Sequence, residues 1–273
     1  MTKPASFYEV VTAAVADIAA RGYDPVRVDL WMGQIAAAAQ RDMVPEAQVA
    51  ATMQSRLGGL YKRYVTDGAL LRQNPGVGRF TLDKVRPALR AELERRIAAS
   101  AQLIKLNRAA AIQKTLIRFS GWASSIPQGG SNVVDKRDTK SDIKKSLKQL
   151  PFEERRVLID QGHKFVAALS ETLATSGNAI AAEWHSHWRQ QGYNYRKDHK
   201  ARDGKVYAVR DSWAMEKGLM KAGPAGYTDE IDRPGEEPYC RCSYVWIYSL
   251  RDLPDDMLTA KGREALAASR IAA

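Results

Sequence analysis

The stretch between Trp184 and Trp246 restricts the possible folds of this chain most strongly. It holds three of the four histidines and both cysteines of the sequence. The two cysteines, Cys240 and Cys242, are separated by one residue, and a disulfide between such neighbours on an extended strand would be badly strained. We therefore expect free thiols or metal ligands, and the low cysteine content is typical of a reducing compartment.

Two segments of this stretch are predicted to be extended. If residues 184–188 form a strand, the period of two places both indoles on one face and the imidazoles of His185 and His187 on the other. Residues 239–248 are rich in Tyr, Val, Trp and Ile and follow Pro and Gly, which predicts a second strand. That strand would place both cysteine side chains on the same face.

A tight turn is predicted between these segments. Asp203-Gly204 is a turn signal, because glycine adopts a positive φ without steric cost. It leads into a short predicted strand at residues 205–209. The turn and the strands therefore frame His199 and the cysteines, and they predict a C-terminal α+β domain with a small antiparallel sheet.

The order of these motifs resembles that of a known family. The residues that carry the resemblance are Trp184, His199, Asp203, Gly204, Tyr207, Pro234, Gly235, Cys240, Arg241 and Cys242. In this order they resemble the phage Mu F-like head-morphogenesis family of minor capsid proteins, over about residues 151–250. The polar insertion between Trp213 and Pro234 is a departure that the resemblance does not explain.

The resemblance implies a role in the head of a tailed phage. A protein of this family is expected to be a minor virion component, made in the host cytoplasm and associated with the portal. It would assist head assembly, genome packaging or DNA ejection. The implied partners are the portal and capsid proteins.

The first 88 residues are predicted to form a helical domain. Its helices are predicted at Phe7–Arg21, at Asp29–Arg41 and from Pro45-Glu46 to Gly68, from their apolar periodicity and their capping residues. Asn74-Pro75-Gly76 followed by Arg79–Leu82 predicts a turn and a short strand. This order suits a winged helix, whereas a plain helical bundle explains the three helices equally well.

Basic side chains would cover one face of such a winged helix. They are Arg56, Lys62, Arg63, Arg72 and Arg79. The net charge is +11, and residues 1–123 hold 18 Lys and Arg against 10 Asp and Glu. This excess predicts an anionic partner, such as double-stranded DNA or an acidic protein surface, whose contacts with phosphate would not read base sequence. A basic pI that serves only solubility is the alternative.

Long helices and a linker are predicted between the two domains. Residues 89–150 comprise one or two long amphipathic helices, up to about Ser120, and a polar, mobile segment at residues 121–148. The C-terminal α+β domain is predicted at residues 151–273 and starts with a helix at Glu153–Thr175. A short final helix is predicted at Met257–Ala268. No apolar run reaches the roughly 18 residues that a transmembrane helix needs, and the N-terminus lacks the pattern of a signal peptide.

The chemical hypotheses concern the histidines and cysteines. His187, His199, Cys240 and Cys242 could together bind zinc, although two cysteines on a flat strand are poorly placed for one tetrahedron. The alternative is that the thiols pack as small apolar groups and bind no cofactor. A metal-dependent nuclease that uses His199 and Asp203 is a further hypothesis, but the sequence has no matching carboxylate cluster. It also has no phosphate loop or serine-nucleophile motif, so we predict no enzymatic activity.

Overall fold

The computed structural model of the protein describes residues 3–271. Its helices are α1 (Phe7–Arg21), α2 (Pro25–Asp42), α3 (Glu46–Tyr61), α4 (Ala69–Gln73), α5 (Arg79–Ala123), α6 (Lys136–Ser176), α7 (Lys197–Arg202), α8 (Trp213–Glu216) and α9 (Ala260–Ile271). Its strands are β1 (Ala181–His185), β2 (Val206–Ala208) and β3 (Ser243–Ile247). A largely helical chain with one small antiparallel sheet confirms the predicted α+β class.

The chain divides into two compact units that interleave in sequence. Unit 1 comprises the chain up to Thr52 together with Ala99–Val157, and unit 2 comprises Met53–Ala98 together with the chain from Leu158 onward. Helices α3, α5 and α6 each contribute residues to both units. The sequence predicted consecutive ranges instead, because amphipathic periodicity does not show that one long helix supplies two cores.

Unit 1 is helical. Ser6 caps α1 through a reciprocal capping box with Glu9, an arrangement that satisfies two backbone N–H groups of the first turn. The apolar face of α1 packs against α2 and against the second half of α5. The fully buried side chains of this core include Val11, Val15, Ile18, Ile35, Phe119 and Ile143. The predicted bounds of the first helix, Phe7–Arg21, are confirmed.

Unit 2 contains the sheet. Its strand order is β2-β1-β3, and both pairings are antiparallel. Ala182 pairs with Tyr207 on one side and with Trp246 on the other, and Trp184 pairs with Tyr244. The small side chains of β1 are buried, which lets the last turns of α6 pack closely on the middle of the sheet, since Ala174 and Ala182 share one apolar cluster.

Two N-terminal predictions are wrong. The predicted wing strand at Arg79–Leu82 is the first turn of α5, so residues 74–82 contain no strand and the wing of a winged helix is missing. The predicted linker is shorter than expected, because α6 already begins at Lys136. Ile126 and Ile143, within the expected linker, are buried in unit 1. Because these two side chains are buried, residues 121–148 are held against the core, although their polar composition predicted a mobile segment.

Three C-terminal bounds also differ from the prediction. β1 ends at His185, so residues 186–188 leave the strand. β3 starts only at Ser243, and Tyr239 has a positive φ of 61°, which places this residue outside an extended strand. The last helix starts at Ala260 rather than Met257, and the helix predicted at Glu153–Thr175 lies within α6.

Candidate metal centre

The centre of unit 2 brings together His199 and both cysteines. His199 lies on the short helix α7, and the cysteines lie in the short segment that leads into β3. The Sγ atoms of Cys240 and Cys242 are each 3.5 Å from Nδ1 of His199. All three side chains are buried, and their ligand atoms lie within 4.8 Å of one another. The cluster therefore combines the residue types that bind soft and borderline metals.

The surrounding side chains form an apolar shell. Trp184 is fully buried and lies edge-on to the His199 ring, with 5.2 Å between ring centroids. Tyr207 belongs to the same buried cluster as this tryptophan and the two cysteines. The strand pairing of β1 with β2 and β3 supplies this shell, since both Trp184 and Tyr207 are strand residues. Such a shell limits water at the cluster and lowers the local dielectric.

The second ring nitrogen of His199 is bound by a carboxylate. Nε2 lies 3.0 Å from Oδ2 of Asp232, and Oδ1 of Asp232 accepts a hydrogen bond of 2.6 Å from Arg202. Burial opposes the ionisation of Asp232, but the hydrogen bond and the charge of Arg202 lower the pKa of this carboxyl. Asp232 belongs to the polar insertion between Trp213 and Pro234. The insertion therefore contributes a residue that orients His199.

A glycine turn supplies a donor to one sulfur. Glu236 N–H donates to the Arg233 carbonyl at 3.0 Å, with Pro234 and Gly235 between them. Gly235 has a φ of 81°, so the segment has the features of a type II turn. The turn directs the Gly235 N–H at the Cys240 sulfur, 3.4 Å away.

The two thiols differ in acidity. Hydrogen bonds from the Cys242 thiol and from the backbone N–H groups of Gly235 and Cys242 lower the pKa of Cys240 to about 5, although burial opposes this shift. The hydrogen bond to Cys240, burial and the neighbouring negative charge raise the pKa of Cys242. The two sulfurs therefore influence each other strongly, and a metal ligand requires the thiolate form of each.

The structure places the remaining predicted residues around this cluster. His187 is not part of the group whose ligand atoms converge, so three of the four residues predicted for zinc come together. Gly204 has a φ of 76° and its N–H donates to the Trp184 carbonyl at 2.8 Å, which confirms the turn. Arg241 contacts Gln190 and the ring of Tyr193.

Asp203 has a structural role in the same turn. Its carboxylate accepts hydrogen bonds from Ser186 N–H at 2.8 Å and from Trp188 Nε1 at 2.7 Å. The bond from Ser186 lowers the pKa of Asp203 most, and the bond from Trp188 lowers it further. Because both oxygens of Asp203 are used to hold the segment after β1, the geometry does not favour the nuclease hypothesis.

A cavity of about 390 Å³ adjoins the cluster. Cys242 and His187 both line it, together with His163 of α6. Burial is the main reason that the pKa of His163 is lowered. Tyr244 and Trp246 also line it, although their Oη and Nε1 atoms are themselves buried and have no hydrogen-bond partner among the described residues. The histidines of the lining offer polar groups to a small ligand or to water.

The predicted basic residues are exposed in unit 2. Lys62 pairs with Asp67 at 3.0 Å, and Arg72 donates to the carbonyl of the same aspartate. Arg79 pairs instead with Asp83 at 3.8 Å. The other two, Arg56 and Arg63, are exposed on α3 and on the helical turn after it. Part of the predicted positive face is therefore neutralised by local ion pairs.

Asp232 and Arg202 were missed by reasoning from sequence. Asp232 lies 33 positions from the histidine that it contacts, and no periodicity connects residues at that distance. The only local signal is its place directly before Arg233-Pro234-Gly235, a turn that returns the chain to the cluster.

Comparison with protein-family models, with curated proteins and with solved structures finds no match to this chain. Among the described residues, none of the helices combines the length and the apolar run that crossing a membrane requires.

Proposed function

We propose that this chain is a minor capsid protein of a tailed-phage head, associated with the portal and active in head assembly, genome packaging or DNA ejection. The observation that supports the proposal is the convergence of the residues that carry the family resemblance. His199 and Cys242 are 43 positions apart in sequence, yet their side chains meet at 3.5 Å. Trp184 and Tyr207 pack around them. The motif order therefore corresponds to one structural cluster.

The proposed role is structural rather than enzymatic. His199 and Cys240 are buried, so neither reaches a macromolecular substrate in this conformation. The carboxylate of Asp203 is used by Ser186 and Trp188. The cluster is thus suited to hold α7, the insertion and the turn before β3 in one arrangement, which presents a defined surface to a partner.

Binding to DNA-free heads and to portal rings tests this proposal. The full chain should co-sediment with procapsids and bind purified portal rings of the phage that encodes it. A net charge of +11 favours non-specific binding to anions, so both assays use raised salt and a basic protein of similar charge as a control. Failure to bind in both assays would remove the proposal.

Contact with packaged DNA is the second part of the proposed role, and it depends on the exposed basic residues of unit 2. Each lost phosphate contact should reduce the slope of log affinity against log salt by about 0.9. The double variant Arg56→Ala/Arg63→Ala should therefore have a shallower slope than the wild type. Arg210→Ala is the matched control, because Arg210 is paired with Asp229 and Glu230. Equal slopes for all three proteins would exclude this face as the contact.

A further inference from the structure

The geometry of the cluster points to a bound metal. We infer that His199 Nδ1, Cys240 Sγ and Cys242 Sγ bind one zinc ion. In a tetrahedral zinc site the Zn–S bonds of about 2.3 Å and the Zn–N bond of about 2.0–2.1 Å place sulfur and nitrogen about 3.5 Å apart. Both sulfur–nitrogen distances in the cluster are 3.5 Å. Both sulfur–nitrogen separations thus match those of a zinc site, and the two sulfurs lie within 4.8 Å of each other.

A hydrogen bond alone does not explain this arrangement. A neutral imidazole nitrogen has one lone pair in the plane of the ring, which accepts one hydrogen bond. Nδ1 of His199 can therefore accept a hydrogen bond from only one thiol, yet two sulfurs lie at the same distance from it. A metal ion bound to all three atoms accounts for both distances, and it compensates for the burial of three polar groups.

The contacts behind the donor atoms have the pattern found around metal ligands. Nε2 of His199 lies 3.0 Å from the Asp232 carboxylate. Nδ1 is therefore the ring nitrogen that faces the two sulfurs and is available to a metal. A carboxylate behind a histidine ligand is the usual second contact in zinc sites. On the sulfur side, the Gly235 N–H donates to the Cys240 sulfur at 3.4 Å.

The fourth ligand is assigned to water. Three protein ligands with water in the fourth position are an established form of zinc coordination, including sets of two cysteines and one histidine. Cys242 lines the 390 Å³ cavity, which connects the cluster with a space that water can occupy. His187 lines the same cavity but is not part of the converging group. His187→Ala is therefore expected to retain zinc, and loss of the metal in this variant would overturn the assignment of three protein ligands.

Elemental analysis of the full chain is the first test. The protein is produced without a histidine tag, because a tag would bind metal itself, and it is purified without chelator. The expected result is one zinc per chain. After chelation, cobalt should replace zinc and give the thiolate-to-cobalt charge-transfer absorption of cysteine coordination. A stoichiometric metal other than zinc would overturn the zinc assignment, and no metal together with no cobalt absorption would overturn the site.

Single variants identify the ligands. His199→Ala, Cys240→Ser and Cys242→Ser should each lose the stoichiometric zinc, whereas His185→Ala should retain it. His185 is the matched control because its side chain is 48% exposed at the end of β1. If a ligand variant fails to fold, His199→Cys provides a second test, since a third thiolate should restore metal binding. Zinc retained at the wild-type level in all three ligand variants would contradict the inference.

This inference does not depend on the proposed role in the phage head. Zinc binding is measured on the isolated chain, whereas head association is measured with procapsids and portal rings. Either result can therefore fail without the other.

Discussion

Nε2 of His199 lies 3.0 Å from the carboxylate of Asp232, while Nδ1 of the same ring faces both cysteine sulfurs. One imidazole thus connects the polar insertion to the turn before β3. Arg202 lies about one helical turn after His199 on α7 and donates to the other oxygen of Asp232 at 2.6 Å. The orientation of the ring is therefore determined by contacts on both of its nitrogen atoms.

Loss of the Asp232 carboxylate should weaken metal binding without removing a ligand. Asp232→Asn is expected to lower zinc affinity about 10- to 100-fold, because a neutral amide oxygen replaces the charged acceptor that orients the ring. Competition with a chromophoric chelator measures this change. Asp229→Asn is the control, since Asp229 pairs with Arg210 at the surface. Equal affinity of the Asp232 variant and the wild type would show that the contact does not serve a metal ligand.

Asp203 should make stability depend on pH. Its pKa is lowered in the folded state by the Ser186 N–H and then by Trp188 Nε1. The ionised carboxylate therefore stabilises the fold above the unfolded pKa of about 4, and this contribution is lost as the pH falls through the lower folded pKa. Asp203→Asn should reduce the free energy of unfolding by about 1 kcal/mol at neutral pH. It should also flatten the decline in stability on acidification below about pH 5.

Urea unfolding at a series of pH values measures both effects. Asp256→Asn, at an exposed position of the same unit, is the control and should follow the wild type. The prediction is wrong if the Asp203 variant loses stability on acidification as steeply as the wild type does.

The ion pair of Arg108 should contribute strongly to the free energy of unfolding. Arg108 is 7% exposed and lies 2.6 Å from Glu154, and it also donates to the Val44 carbonyl. Arg108→Ala leaves a partly buried carboxylate without its partner and is expected to cost about 3 kcal/mol of unfolding free energy. Lys105→Ala removes an exposed pair with Glu46 and should change stability by at most about 0.5 kcal/mol. Thermal or urea unfolding compares the two, and similar losses would contradict the prediction.

Two glycines of unit 1 should respond to alanine with opposite signs. Gly22 ends α1 with a φ of 83°, and a Cβ at this position would meet the backbone oxygens of Pro127 and Gln128. Gly22→Ala is therefore expected to destabilise the protein by at least about 2 kcal/mol. Gly33 lies within α2 with no atom near its added Cβ, so Gly33→Ala should stabilise it by about 0.5–1 kcal/mol. The midpoints of urea unfolding measure both changes. If both variants shift the midpoint in the same direction, the prediction of opposite effects is contradicted.

The features predictable from sequence are local. The helix at Phe7–Arg21 has a capping box, a clear apolar period and a terminal glycine, and its predicted bounds match the structure. The turn at Asp203-Gly204 is likewise a property of two neighbouring residues. Patterns of this kind report which face of an element is apolar, so they also predicted the α+β class.

The tertiary structure decided which residues meet. Periodicity indicated a continuous strand through the cysteines and made them poor tetrahedral ligands. In the structure β3 begins only at Ser243, after both cysteines. Both sulfurs can then face one nitrogen of His199. Asp232 contacts the other nitrogen of His199, although the two residues are 33 positions apart in sequence. Sequence determined the chemistry of each side chain, but only packing determined their distances, because contacts between distant residues leave no period along the chain.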